Sequence, residues 1–181
     1  MSIMSEPQIR ILTSSDWQLY KSIRLQSLLD SPDSFGSTYA REVLLTDVEW
    51  RARLETSART IDSLPLIVEL NEEPVALAWG LIHQNSENLA HIYQMWVRPE
   101  SRGQGIAKAL LSQIVQWAHN SGCAEVALAV TTINESAMHL YLKSGFEPSG
   151  VTEELRAGSE LRVQPLLLKL PGDPRNQSAD R

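Results

Sequence analysis

The sequence predicts one α/β domain built on a mixed sheet, of the α+β kind rather than a doubly wound parallel one. Three observations predict it. The chain has 181 residues, 43% apolar and 21% charged, enough apolar material for one sizeable core and too much for wholesale disorder. Two strand patterns, Pro65–Leu70 and Pro74–Ile82, are separated only by Asn71, Glu72 and Glu73, a hairpin connection between antiparallel neighbours. After Pro99 helical and strand periods alternate, as they do where helices cross between strands.

The elements follow in order. Gln8–Leu12 places Ile9 and Ile11 on one face and is the first strand. Thr13 to Asp16 supplies N-cap chemistry for a helix in which Leu19, Ile23, Gln26 and the pair Leu28–Leu29 keep helical spacing; Ser31 and Pro32 stop it. A second helix begins at Thr46 and Asp47 and runs past Trp50 and Leu54. The hairpin strands come next, then a strand over Leu89–Val97 ended by Arg98 and Pro99. Ile106, Leu110, Ile114 and Trp117 recur at three or four residues and mark a helix that Asn120, Ser121 and Gly122 end. Glu125–Val130 reads as a buried strand. Asn134 caps a helix with Ala137, Leu140 and Tyr141 on one face, and Gly145 stands at its C′ position. Phe146 opens a short strand and Leu161–Leu170 is the last. Residues 1–6 are expected to be flexible, 7–170 to form the domain, and 171–181, which has no apolar anchor, to be a disordered tail.

Charge and composition exclude several roles. Sixteen Lys and Arg against 22 Asp and Glu give a net charge of −6, and no basic run is present, which argues against nucleic acid or an anionic membrane as partner. No apolar stretch approaches the roughly 18–20 residues of a membrane span. The one cysteine, Cys123, forms no internal disulfide and suits a reducing cytoplasm; at a helix–strand junction it reads as structural. His91, His119, His139 and Cys123 have no metal-ligand spacing, so no metal is expected.

The chemistry starts at Val97. The run Arg102-Gly103-Gln104-Gly105-Ile106-Ala107-Lys108 leaves a strand and enters a helix. Small residues at 103, 105 and 107 let a ligand approach the backbone, and free amides of the first helical turn point at it with the positive end of the helix dipole behind them. Arg102 adds a cationic donor. Two glycines after a strand more often form a plain turn. The nucleoside-triphosphate loop pattern is absent, because Ala109 follows Lys108 and the glycine spacing differs. The dinucleotide fingerprint is broken by Lys108 at the third glycine position.

A second motif decides between these. Arg102, Gly105 and Ala107 stand as Arg-x-x-Gly-x-Ala, and downstream lie Asn134, Ala137, Leu140, Tyr141, Gly145 and Phe146. Together they resemble the acetyl-CoA motifs of the GNAT acetyltransferase superfamily, Arg/Gln-x-x-Gly-x-Gly/Ala and, one strand later, Asn-x-x-Ala-x-x-Leu-Tyr-x-x-x-Gly-Phe. The strict match covers residues 89–147, and the element order extends it to roughly 8–170. The resemblance implies a mostly antiparallel sheet splayed at its middle strands and flanked by about four helices, with acetyl-CoA as co-substrate. It implies transfer of the acetyl group to a primary amine by direct attack through a tetrahedral intermediate.

Carried onto this chain, the resemblance makes Met95, Trp96 and Val97 the splayed strand end whose backbone pairs with the pantetheine arm. The amides of Gly103, Gln104, Gly105, Ile106, Ala107 and Lys108 hold the pyrophosphate beside Arg102. Asn134 contacts pantetheine, a role compatible with plain N-capping. A backbone amide near Val97 holds the oxyanion. Tyr141 faces the thioester sulfur and either protonates the departing thiolate or hydrogen-bonds it; taken on spacing alone it reads as a core tyrosine beside Leu140.

The general base departs from the pattern. Ala129 occupies the position where peptide-acetylating relatives carry glutamate. His91 and Tyr93, two apart and therefore on one strand face, match positions where arylalkylamine acetyltransferases place histidines, so His91 is the candidate base, acting through water. A solvent-facing strand histidine is the plainer alternative. Glu87 and His83 are weaker candidates. The acceptor, a small or peptide-like amine, is expected between the residue 16–54 helices and the strand ends, lined by Arg24, Phe35, Tyr39, Trp50 and Tyr93. A homodimer is the family expectation. The rival reading is a CoA-binding regulatory module of the same fold without turnover.

Overall fold

The structure, a computed structural model, describes residues 6–57, 62–86 and 88–172. The expected terminal tails therefore lie almost wholly outside the described residues. Eight strands form one sheet: β1 (Gln8–Ile11), β2 (Ser63–Leu70), β3 (Glu73–Ile82), β4 (Leu89–Val97), β5 (Glu125–Thr131), β6 (Glu147–Pro148), β7 (Glu153–Glu154) and β8 (Arg162–Lys169). Among the described residues five α-helices accompany them: α1 (Trp17–Asp30), α2 (Tyr39–Glu42), α3 (Asp47–Ser57), α4 (Ile106–Asn120) and α5 (Glu135–Lys143). The sheet order is β1-β2-β3-β4-β5-β8-β6, with β7 also paired to β8. Every pairing is antiparallel except β4 with β5. The expected mixed, mostly antiparallel sheet is the one found.

Local chemistry sets the boundaries. The Asp16 carboxylate accepts from the Thr13 amide (2.7 Å) and hydroxyl (2.9 Å), fixing the turn that feeds α1. Thr46 and Glu49 exchange side-chain-to-backbone bonds at the start of α3. Asn71 and Glu72 both have positive φ, 53° and 66°, the two-residue turn whose twist matches an antiparallel hairpin. The four-residue α2, capped by the Thr38 hydroxyl, and the two-residue β7 are additions to the expected order. Phe146, expected to open β6, instead lies buried just before it.

The sheet carries a core on each face. Leu66, Val68, Ala76, Ala78, Ile92 and Val126 pack under α4 and α5 with Leu110, Ile114 and Phe146. Ile67, Leu77, Trp79 and Trp96 pack under α1 and α3 with Tyr20, Ile23, Trp50 and Leu54. The α4 face is tight at Gly80, where an added Cβ meets Trp117 at 2.8 Å and Ile114 at 3.0 Å. Gly80→Ala is expected to destabilise the fold by about 1–3 kcal/mol through overpacking, read from the midpoint of chemical denaturation.

Two features open the sheet in its middle. β4 and β5 pair only through Leu89↔Glu125, Ala90↔Val126 and His91↔Ala127; beyond these the strands part. In the parted half β4 carries a bulge, with its register against β3 shifting between Leu77 and Trp79. Gln94 there has φ +55°, a conformation disfavoured for a residue with a side chain. Buried Tyr20 donates to the Gln94 side-chain oxygen (3.0 Å) and packs edge-on against Trp50 and Trp79. The bulge is thus tied to the core beneath α1.

Candidate active site

A cleft of about 1090 Å³ opens where β4 and β5 part and runs from the start of α4 to α1, α2 and β7. At one end lies the 103–108 loop. Gly103 and Gly105 take left-handed φ values of +76° and +79°, which glycine adopts without strain. A Cβ on either would meet nothing within 4 Å, so open space lies over the loop. The backbone bonds around it run from the Arg102 amide to Pro99 and from the Ala109 amide to Gly105. Among the described residues the six amides between them, Gly103 to Lys108, have no acceptor. They stand at the N-terminus of the 15-residue α4, where aligned peptide dipoles add positive potential. A diphosphate group fits this donor set.

Arg102 is already committed. Its Nε donates to the Val97 carbonyl (2.8 Å) and a terminal nitrogen to Asp30 (2.8 Å). Asp30 also accepts from the Trp96 indole (2.9 Å). Burial works to raise the Asp30 carboxyl, but Ser31, Trp96 and Arg102 hold it below its usual range. Asp30 thus joins the end of α1 to β4 and to the loop, a link no local sequence pattern announces. The Arg98 amide donates to the Val75 carbonyl, so the antiparallel alternation turns the Val97 amide and carbonyl the other way, into the gap between β4 and β5.

Tyr141 lines the same cleft. Its ring is buried, edge-on to Phe146 at 5.9 Å, and burial pushes the phenol up to about 12. Its hydroxyl has no hydrogen-bond partner among the described residues. The Asn134 side-chain oxygen accepts from the Ala137 amide (3.1 Å), so the capping role is real, and the residue also lines the cleft.

The far end is more polar than sequence patterns indicate. Arg24, buried on α1, grips Glu42 through two nitrogens at 2.8 and 3.2 Å. Arg53 donates to the same carboxylate at 2.9 Å. Burial opposes the Glu42 charge, yet Arg24, Arg53 and Ser37 hold its carboxyl below the usual range. Phe35 stacks on the Arg24 guanidinium at 4.8 Å. The β7 region closes over this end, with Arg156 donating to the Phe35 and Pro32 carbonyls.

The cleft gathers most of the residues singled out in the sequence: Arg24, Phe35, Tyr93, Met95, Trp96, Val97, Arg102, Gly103, Gly105, Ile106, Ala107, Lys108, Asn134 and Tyr141. It does not gather four. Gln104 is exposed and contributes its amide alone. Trp50 is 0% exposed and belongs to the core beneath α1, so its expected place against the acceptor is corrected: its indole is shut behind Tyr20. Tyr39 packs on that core outside the cleft lining. His91 sits where β4 and β5 are still joined, stacked on Tyr93 with ring centres 5.7 Å apart. His83 reaches the Tyr93 hydroxyl at 3.2 Å, making a His83–Tyr93–His91 cluster of which Tyr93 lines the cleft. Burial and the nearby His83 push His91 below its usual value. Ala129 also lines the cleft, while Glu87 lies outside the described residues.

Comparison with known proteins agrees with this geometry. The model of the Acetyltransferase (GNAT) family matches residues 25–146. Human N-acetyltransferase 8B is 42% identical over 64 residues, which are 35% of this chain and 28% of that protein. The chain thus matches little more than a quarter of the length of such curated relatives. A GNAT-family acetyltransferase from Streptococcus pneumoniae superposes with a TM-score of 0.78 at 22% identity, covering 91% of this chain and all of that one. Spermidine N-acetyltransferase from Vibrio cholerae, solved with CoA and spermine, gives 0.72 at 17% identity, with 90% and 95% covered. The family match spans most of the chain and includes both the loop of unpaired amides and Tyr141; the chain belongs to the GNAT acetyltransferase family.

Proposed function

We propose that this chain is an acetyl-CoA-dependent N-acetyltransferase whose acceptor is a small or peptide-like primary amine. The observation that carries the reading is the run of six unpaired amides, Gly103 to Lys108, in one cleft with the unpartnered Tyr141 hydroxyl. The Vibrio cholerae neighbour, a spermidine N-acetyltransferase solved with CoA and spermine, supports a small amine as acceptor.

Acetyl-CoA supplies an acetyl group already activated as a thioester. The chain does the rest. The loop amides grip the diphosphate. The free edge of β4 at Met95 to Val97 receives the pantetheine arm as an added strand, and Asn134, which lines the same cleft, contacts that arm through the side-chain nitrogen that capping leaves unused. The Val97 amide, turned into the splay, stabilises charge on the acetyl oxygen as the amine attacks. Holding amine and carbonyl aligned contributes up to roughly 7–11 kcal/mol of the barrier reduction.

Tyr141 meets the departing sulfur. Its phenol, near 12, is a far weaker acid than a thiol of about 8.5, so it stabilises the thiolate by donating a hydrogen bond and solvent completes the protonation. His91, which burial and the nearby His83 push below its usual value, takes the proton of the acceptor ammonium through water. The enzyme works in the cytoplasm as a homodimer.

Calorimetric titration with acetyl-CoA tests the reading. Micromolar binding at one site per chain, followed by release of free thiol when amines are added, is the expected result. Binding without thiol release from any amine supports the regulatory-module reading instead. No binding removes both.

A further inference from the structure

We infer that Asp30 is a positioning residue for acetyl transfer: one of its carboxylate oxygens fixes Trp96 and Arg102, and through them the Val97 amide that meets the acetyl oxygen. The inference rests on reading the cleft as an acetyl-transfer site with the Val97 amide as its oxyanion donor. Three donors converge on Asp30 Oδ2: the Ser31 hydroxyl at 2.7 Å, the Trp96 indole at 2.9 Å and an Arg102 terminal nitrogen at 2.8 Å. They come from the end of α1, from β4 and from the loop before α4. Arg102 passes the restraint on, since its Nε donates to the Val97 carbonyl at 2.8 Å. The Val97 amide therefore lies between two anchors that share one carboxylate, the Trp96 side chain before it and the Val97 carbonyl after it. The Arg98 amide, bound to the Val75 carbonyl at 2.7 Å, ties the next peptide to β3.

Stability does not account for this arrangement. Asp30 is the last residue of α1, where the free carbonyls of a helix disfavour a negative charge. Its side chain is 27% exposed and that of Arg102 is 50% exposed, and an ion pair so open to water adds little to the fold. What the pair adds is direction. Beyond His91↔Ala127, β5 gives β4 no ladder partner, so at Val97 the Asp30–Arg102 pair stands where a neighbouring strand would otherwise hold the backbone. A donor aimed at developing charge acts only along the right line, and a misplacement of about 1 Å can cost about a hundredfold in rate.

The test compares the whole wild-type chain with Asp30→Ala and Asp30→Asn. Thiol release from acetyl-CoA is followed with the best acceptor among spermidine, 2-phenylethylamine and a tetrapeptide with a free N-terminal serine, and calorimetry gives acetyl-CoA affinity. Asp30→Ala is expected to lower kcat by about tenfold to a hundredfold, with acetyl-CoA affinity and acceptor KM within about threefold of wild type. Asp30→Asn keeps an oxygen for Trp96 without the charge that holds Arg102, and is expected to recover part of the loss, standing about threefold to tenfold below wild type. In a protein already carrying Trp96→Phe and Arg102→Met, Asp30→Ala is expected to cost nothing more, because the partners it acts through are gone. Of the five tryptophan indole protons, that of Trp96 is expected to move in the magnetic resonance spectrum of Asp30→Ala. If the alanine variant does not fold, the asparagine variant decides. An unchanged kcat in the deciding variant, a fall in acetyl-CoA affinity equal to the fall in kcat, or a full further loss in the Trp96→Phe, Arg102→Met background overturns the inference and leaves the acetyltransferase reading standing. A wild type that binds no acetyl-CoA, or binds it and releases no thiol, overturns both.

Discussion

Gly105→Glu is expected to weaken acetyl-CoA binding by more than about a hundredfold, with the fold retained. Two effects combine. Gly105 has φ +79°, and any residue with a Cβ is disfavoured there by about 1–2 kcal/mol. The new carboxylate then occupies the open space over the loop and offers its own oxygens to amides that otherwise await a diphosphate. Gly105→Ala separates the two, since it adds the backbone strain without the charge, and is expected to lose only a small part of the affinity. Calorimetry on the three proteins, with thermal melts as a control for folding, checks this. Undiminished binding by the glutamate variant would place the anion site elsewhere.

Tyr141→Phe is expected to lower kcat by about a hundredfold, within the usual range for losing one hydrogen-bond donor to a developing anion, and to leave acetyl-CoA affinity unchanged. The change removes one oxygen that has no partner within the described residues, so stability is expected to hold. The pH dependence has a definite sign. Burial raises this phenol to about 12 from an ordinary 10.0, so it stays protonated across the neutral range and contributes no alkaline limb there. For stability, a pKa raised in the folded state gives a contribution fully present below the unfolded value of 10.0 and lost as pH rises toward 12. The wild type is therefore expected to lose more stability than Tyr141→Phe on going from pH 9 to pH 11. Equal loss in the two proteins would show that the phenol is less enclosed than described.

What the sequence reveals about this site depends on whether local spacing or distant packing makes each part. The glycines at 103 and 105, the helix they open and the Asn134 cap are legible because each is made by residues within a few positions of one another. The hairpin at Asn71 and Glu72 is legible for the same reason. Glu42 is not: it meets Arg24 across 18 residues, and only the chain reversal between α1 and α2 joins them. The Gln94 bulge is hidden because no glycine marks its positive φ. Trp50 misleads because an aromatic residue followed by arginines at 51 and 53 looks the same whether it faces a ligand or the core. His91 and Tyr93 do share a face, as their spacing requires, but the point where β4 leaves β5 cannot be read from alternation alone.

The proposed diphosphate grip at Gly103 to Lys108 resides in backbone atoms that every residue but proline carries. Exposed Gln104 and Lys108 supply amides whatever their side chains, so evolution is free to vary both positions without touching the cofactor contact. Selection on this loop acts on torsion angles, not on functional groups. A saturation library across it should therefore return a narrow signature: only small residues beside glycine at 103 and 105, exclusion of proline throughout, and wide freedom at 104 and 108.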